Sequence, residues 1–258
     1  MGTDIHVICE VKENGKWKRN EDKVFPNPDY HYLQARIKED PNYEVPGFWK
    51  DDLNAPFKEH PEDGRNYDKF AILADVRNGS GFAGCVTGRG FEPMSSYRGF
   101  PEDVDGDFKY NYSSWTHSET WIDLKDILNY NWDRMTVKSG VISLEEYKEL
   151  RDPFSKHNTK TPNTWSGAIG GGNNITISMK EADKVLRGEI TELTKREEYF
   201  KEEEPETKPI SEWKINVQYE WHITYKEWFK SFFKNWIEPI KELGQKYEDV
   251  RVVMSFDS

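Results

Sequence analysis

From Trp213 to Ile223 every second residue is aromatic or aliphatic: Trp213, Ile215, Val217, Tyr219, Trp221 and Ile223 alternate with Lys214, Asn216, Gln218, Glu220 and His222. A two-residue period of this length is that of a β-strand with one buried face. The period then changes. Thr224-Tyr225-Lys226-Glu227 has the spacing of a capping box. After it Trp228, Phe229, Phe232, Phe233, Trp236, Ile237 and Ile240 fall on one helical stripe. Pro239 predicts a kink near the end of this helix and Gly244 its stop. A second alternation closes the chain, with Val250, Val252, Met254 and Phe256 against Arg251, Val253, Ser255 and Asp257. Strand, helix and strand in that order predict a crossover joining two strands of one sheet.

The N-terminus repeats the strand pattern. Thr3, Ile5, Val7, Cys9 and Val11 alternate with Asp4, His6, Ile8 and Glu10, and Asn14-Gly15 supplies a hairpin turn before a return strand from Lys16 to Lys18. The first and last strands are expected at the centre of the sheet. Short helices are predicted over Tyr67 to Val76, Leu124 to Asn129, Leu144 to Arg151 and Met179 to Arg187, the last two opened by Ser143 to Glu146 and Ser178 to Glu181. Residues 24–64, rich in Pro, Asn, Asp and Tyr, read as a long loop or lid, and Gly79 to Gly90 as irregular. Segment 141–209 reads as a helical insertion with an acidic linker, the charge run from Glu197 to Lys208. The expected architecture is a single α+β domain over 1–258, with a mixed sheet, helices mainly on one face and long irregular insertions.

Hydrophobic residues make up only 35% of the 258, yet 10 Trp, 13 Tyr and 14 Phe bury large areas each, so a core remains attainable. A net charge of −11 disfavours duplex nucleic acid, which wants a basic footprint. It leaves room for a small phosphorylated ligand in a local basic pocket. No apolar run approaches the roughly 18 residues of a membrane span. Asp4 and His6 interrupt the apolar N-terminus, so no secretory signal is read. Two cysteines, Cys9 and Cys85, make neither a disulfide framework nor a four-cysteine zinc site. A reduced, cytoplasmic setting is expected.

Most catalytic signatures fail. The chain has no G-x-S-x-G elbow, Walker loop, H-E-x-x-H or G-x-G-x-x-G helix opening. His117-Ser118-Glu119 lacks the P-C-x-x-C partner of a zinc deaminase. Asp103-Val104-Asp105-Gly106-Asp107 is half a calcium loop with its glycine too early. Ala168 to Asn174 offers a glycine run for an anion nest, but no P-loop lysine follows. His157-Asn158-Thr159 and His222-Ile223-Thr224 echo two-histidine phosphoesterases, although the neighbours of His222 make a solvated face.

Two groups of residues carry chemistry. Asp4 and His6 share the face of the first strand opposite its apolar set, and a neighbouring last strand brings Asp257, Ser255 and Arg251 to that face. Central strands seldom carry such residues without partners. The second group runs from Arg98 to Trp121. Arg98 on a Gly-Pro turn suits phosphate, Trp121 suits a nucleobase, and His117 with Ser118 suits proton transfer.

Met1 with Asp4-Ile5-His6, then Phe70 to Arg77, Arg98-Gly99-Phe100-Pro101-Glu102-Asp103-Val104, His117-Ser118 with Trp121, and the ending Val250 to Asp257, together resemble a largely uncharacterised family of phage and bacterial proteins. The resemblance touches both ends and the first half of the centre; Val141 to Pro209 has no counterpart in it. It implies a phage context rather than a reaction. In that context a protein of this kind is expected to capture a nucleotide-derived signal of host antiviral defence. Arg98 and Arg77 are the expected phosphate ligands, and Trp121 and Tyr67 the stacking rings, with Ser118 beside them. The enzymatic alternative is a phosphodiesterase or nucleotide hydrolase. It would use Asp4, His6, Asp103, His117 and Asp257 as acid–base groups or as ligands for Mn²⁺ or Mg²⁺. A third alternative is a structural or partner-binding protein whose aromatics serve assembly.

Overall fold

The computed structural model describes residues 2–62, 64–155, 160–195 and 205–257. The fold is α+β, as expected. The described residues gather into two compact units, one formed by 1–78, 91–134 and 225–258, the other by 79–90 and 135–224.

The first unit is built on a four-stranded antiparallel sheet. Its order is Lys16–Arg19, Ile5–Glu13, Asp249–Phe256, His117–Asp123. The first and last strands are its two central members, paired from Ile5 opposite Phe256 to Lys12 opposite Asp249. Asn14 and Gly15 both take positive φ, 52° and 74°, the pair of left-handed residues that a tight hairpin needs.

Because side chains alternate along a strand, the sheet has two distinct faces. One carries Ile5, Val7, Cys9, Val11, Val250, Val252, Met254 and Phe256 into the main core, against Phe70, Leu73, Phe232, Trp236, Ile240 and Leu243. Burial in this core pushes the Cys9 thiol pKa well up, which removes it as a nucleophile. The other face carries Ile8 and Val253, covered by Val104 and Phe108, with Phe108 on the short helix Gly106–Tyr112. Most of the helical mass therefore lies on one side.

The predicted helices at Tyr67–Ala74 and Leu124–Asn129 form, each with an Asx N-cap, Asn66 and Asp123. Segment 24–64 departs from the loop reading. It holds a twelve-residue helix, Pro28–Glu39, two single-turn helices at Gly47–Trp49 and Asp51–Asn54, and a two-residue ladder between Phe25–Pro26 and Phe57–Lys58. That long helix buries only Leu33, so its hydrophobic stripe is too thin to register as a period. Its start was nevertheless marked, by Asn27 as N-cap and Pro28 in the first turn.

The C-terminal helix corrects one further expectation: Gly244 lies inside the segment Glu238–Lys246 and does not stop it, while Pro239 sits in the first turn of that segment, directly after a π-turn over Phe233–Ile237. Gly244 is a packing glycine: a β-carbon there would fall on Leu124 Cδ2.

The second unit is built on a mixed three-stranded sheet in the order Met135–Ser143, Lys214–Thr224, Asn174–Ser178. The central strand runs antiparallel to the first and parallel to the last. The crossover predicted between the two C-terminal strands is therefore overturned: Lys214–Thr224 and Asp249–Phe256 belong to different sheets. Alternation fixes which face of a strand is buried and is silent about its partners.

Helices Leu144–Arg151 and Met179–Leu186 start at Ser143 and Ser178 as predicted and meet through the Tyr147 hydroxyl, which donates to Met179 O and to Asp183 Oδ1. Burial, with Asp183 beside it, pushes the Tyr147 pKa up to about 12. The segment expected to be helical, 141–209, also carries strands at 174–178, Glu192–Lys195 and Glu206–Pro209. The last two pair as a hairpin, so the end of the presumed linker is structured, while 197–204 lies outside the described residues. His157 also lies outside them, which leaves the two-histidine pairing without a described partner for the exposed His222.

Candidate functional site

The register of the two central strands assembles the first predicted group. His6 stands opposite Ser255 and Glu10 opposite Arg251, on the face away from the main core. One pair beyond the ladder, the Asp257 N–H donates to Asp4 O at 3.1 Å, and the Asp4 N–H donates to Asp257 Oδ1 at 2.9 Å. The second carboxylate oxygen of Asp257 lies 3.3 Å from His6 Nε2. A carboxylate accepts only, so this contact places the ring proton on Nε2. The imidazole stacks on Tyr112 at 4.4 Å and meets the edge of Trp115 at 5.1 Å. Asp257 thus fixes one ring nitrogen and two aromatic rings fix the plane. Ser255 adds no nucleophile: it is 0% exposed and its hydroxyl has no hydrogen-bond partner.

The segment before helix Tyr67–Ala74 completes this end of the sheet. Arg65 clamps Asp4 in bidentate fashion, Nε to Oδ1 at 2.8 Å and Nη2 to Oδ2 at 2.7 Å. A β-carbon on Gly2 would collide with that guanidinium. The Thr3 N–H donates to the Tyr67 hydroxyl at 3.4 Å, and Arg77 Nε donates to Thr3 Oγ1 at 3.0 Å, with the guanidinium 5.5 Å over the Tyr67 ring. Asp4, His6 and Asp257 therefore come together on one face, while Tyr67 and Arg77 meet Thr3, whose side chain alternates to the core face of the same strand end. Arg65, Tyr112 and Trp115 join them without having been anticipated.

The Arg65 hydrogen bonds are the largest influence on Asp4 and hold its carboxyl below the ordinary value of 3.8, against the opposing effect of burial. A carboxyl with a lower pKa folded than unfolded stabilises the fold fully above the unfolded value. That contribution disappears as pH falls through the folded one. Asp4→Asn should therefore flatten the acid limb of the stability curve below about pH 4. Thermal unfolding midpoints from pH 7 to 3 check this; parallel curves for the two proteins would refute it.

The remaining predicted residues lie elsewhere. Asp103 accepts from Arg251 Nη1 at 2.9 Å, beside the Glu10–Arg251 pair. Six residues separate Glu10 from Asp4, about 20 Å along a strand, so Asp103 cannot act with Asp4 or His6. Asp105 caps helix Gly106–Tyr112, which commits the second acid of the calcium-like run as well. Arg98 donates to Asp126 Oδ2 at 2.8 Å and to Trp121 O at 3.1 Å, and lies 4.9 Å over the Trp121 ring. The expected phosphate ligand and stacking ring thus satisfy each other.

His117 is displaced by a bulge. Its strand slips register against the last strand between Met254 and Phe256, and Ser118 takes a positive φ of 56°. His117 then faces Phe256, with ring centroids 6.5 Å apart, and bonds the Ser118 hydroxyl at 2.9 Å through Nδ1. Phe256 belongs to the opposite face of the sheet from His6, so the two histidines do not converge. Among the described residues no group of three or more His, Cys, Asp and Glu is arranged to hold a metal ion. The Mn²⁺ or Mg²⁺ site of the enzymatic alternative is not assembled by the five acids and imidazoles proposed for it.

No described helix is long and apolar enough to cross a membrane. No family model, curated protein or solved structure matches the chain.

Proposed function

We propose that the protein binds a small phosphorylated, nucleotide-type molecule at the sheet end formed by residues 3–6 and 257, and holds it without cleaving it. One observation carries the reading: on a chain of net charge −11, two arginines reach the same end of one sheet, Arg65 at Asp4 and Arg77 at Thr3. Both arginines already have partners, Arg65 the Asp4 carboxylate and Arg77 the Thr3 hydroxyl, so a phosphate would take the carboxylate's place on Arg65, in the bidentate geometry that a guanidinium offers to either group. Trp115 is half-exposed beside His6 and Tyr112, and Tyr110 on the same helix is exposed, so aromatic faces are open for a base. In the setting that the resemblance implies, the ligand is a nucleotide-derived signal of host antiviral defence, kept from its receptor.

Binding is favoured over hydrolysis because acid–base catalysis needs groups that converge on one reacting atom. Here His6 is paired with Asp257, Asp4 is turned to Arg65, and His117 and Asp103 lie apart. The test incubates the protein with ADP, ADP-ribose and a cyclic dinucleotide, then denatures it and reads the nucleotides by mass spectrometry. Retention of one of them, returned intact, is expected. Cleaved product lost in His6→Ala would establish the hydrolase reading instead, and no retention of any of the three would overturn both.

A further inference from the structure

The chain contains two Asn-Gly pairs, Asn14-Gly15 and Asn78-Gly79. In such a pair the glycine nitrogen can attack the asparagine side-chain carbon, since no β-carbon on the glycine stands in the way. A bond forms from the glycine N to the asparagine Cγ, the N–H proton leaves, and the Cγ–Nδ2 bond breaks to release ammonia. Water then opens the cyclic imide at either carbonyl. The product is aspartate, or isoaspartate whose main chain runs through Cγ. Water is the only co-reactant.

The fold treats the two pairs differently. Asn78 is half-buried and its amide is fully spent. Its Nδ2 donates to Asp75 Oδ1 at 2.7 Å and to Phe91 O at 2.6 Å, and its Oδ1 accepts from the Phe91 N–H at 2.7 Å. Gly79 is hemmed in by backbone, with Gly88 O 3.0 Å and Gly90 N 3.3 Å from where its β-carbon would stand. Swinging the Asn78 Cγ towards the glycine nitrogen would break three hydrogen bonds in a confined place. Asn14 and Gly15 are exposed at the hairpin tip. The Asn14 side chain has no partner among the described residues, and a β-carbon on Gly15 would meet nothing within 4 Å. The Gly15 N–H lies outside the strand pairing, which ends at Glu13 opposite Lys16, and donates to Glu248 Oε2 at 3.1 Å and Oε1 at 3.3 Å. Closing the ring here asks only that Asn14 leave its left-handed turn conformation briefly and that this surface contact open.

We propose that Asn14 is a site of spontaneous self-modification, converted through the Asn14-Gly15 imide to aspartate and isoaspartate, while the fold protects Asn78. The change loosens the first hairpin. The imide nitrogen carries no proton, so both contacts to Glu248 are lost. Isoaspartate adds one carbon to the main chain of a two-residue turn, and that turn sets the register from Glu13 opposite Lys16 to Glu10 opposite Arg19. Trp17 on the return strand lies 4.2 Å from the Arg251 guanidinium, so a loosened strand also uncovers the buried Glu10–Arg251 pair. This site does not rest on the nucleotide reading.

The test holds the native protein, and the same protein unfolded in urea, in mildly alkaline buffer at 37 °C. Peptide mass spectrometry follows ammonia loss and the exchange of side-chain NH₂ for OH at each asparagine. In the native protein Asn14 is expected to convert at least tenfold faster than Asn78, and in urea the two rates should come together. Gly15→Ala should slow conversion at Asn14 at least tenfold, in urea as well, so this result does not depend on the variant keeping its turn. The aged native protein should show rapid amide exchange over Lys16–Arg19. Equal native rates at the two sites, an Asn14 that stays intact while the urea sample converts, or a difference that persists undiminished in urea would overturn the proposal.

Discussion

Arg251→Met is expected to destabilise the protein by about 3–5 kcal/mol, because it strips the partner from a carboxylate that cannot reach water. Glu10 is 1% exposed and Arg251 4%, and Arg251 Nε donates to Glu10 Oε2 at 2.7 Å. The same guanidinium holds Asp103 and lies 4.2 Å over the Trp17 ring, while Glu10 Oε1 accepts from the Asp105 N–H at 2.8 Å. One buried pair therefore ties together the hairpin, the last strand and the 101–105 loop. The loss comes from the stranded charge more than from the attraction itself, and the double change Glu10→Gln with Arg251→Met should recover most of it. Urea unfolding of the wild type, the single and the double variant measures this; equal loss in the single and the double would show that packing, not the unpaired carboxylate, is responsible.

Gly88→Ala should cost about 3 kcal/mol or more, through strain at a special backbone position. Gly88 has φ of +129°, and a β-carbon there would strike the Val137 carbonyl oxygen and stand 2.8 Å from Lys138 Cα. The close approach is required: Gly88 bridges Lys138, the Arg89 N–H donates to Val137 O at 2.9 Å and the Ser139 N–H donates to Thr87 O at 3.1 Å. Residues 86–90 are in this way an added edge on the strand Met135–Ser143, and backbone cannot yield as a flexible side chain would. The loss should appear as rapid amide exchange at Ser139 and Arg89. Gly171→Ala, where a β-carbon meets open space, carries only the penalty of a left-handed φ and should cost much less.

Both ends of the chain were legible as strands because their alternation fixes which side chains share a face, Asp4 with His6 and Ser255 with Asp257; the meeting of Asp4, His6 and Asp257 also needs the pairing of the two strands, which alternation does not encode. The helix Pro28–Glu39 was hidden by a surface that buries one side chain, although Asn27-Pro28 announced it. The assignment of Lys214–Thr224 to its own sheet was beyond local pattern, since a helix of either course would follow the same strand.

In the site, Arg98 and Trp121 have the right chemistry for a nucleotide but spend it on each other, and sequence order alone does not reveal such self-satisfaction. Arg65 sits in an unpatterned Gly-Arg-Asn loop and gave no signal. Tyr112 and Trp115, three apart at the end of a short helix, gave a faint one. A single positive φ at Ser118 was enough to turn His117 away.

Calorimetric titration of whichever of ADP, ADP-ribose and the cyclic dinucleotide is retained, into the wild type, Arg65→Ala and Arg98→Ala, bears most directly on the nucleotide site. Affinity at least tenfold weaker in Arg65→Ala and unchanged in Arg98→Ala is the predicted result; undiminished affinity in Arg65→Ala, or a loss confined to Arg98→Ala, would place the ligand away from the sheet end and contradict the account.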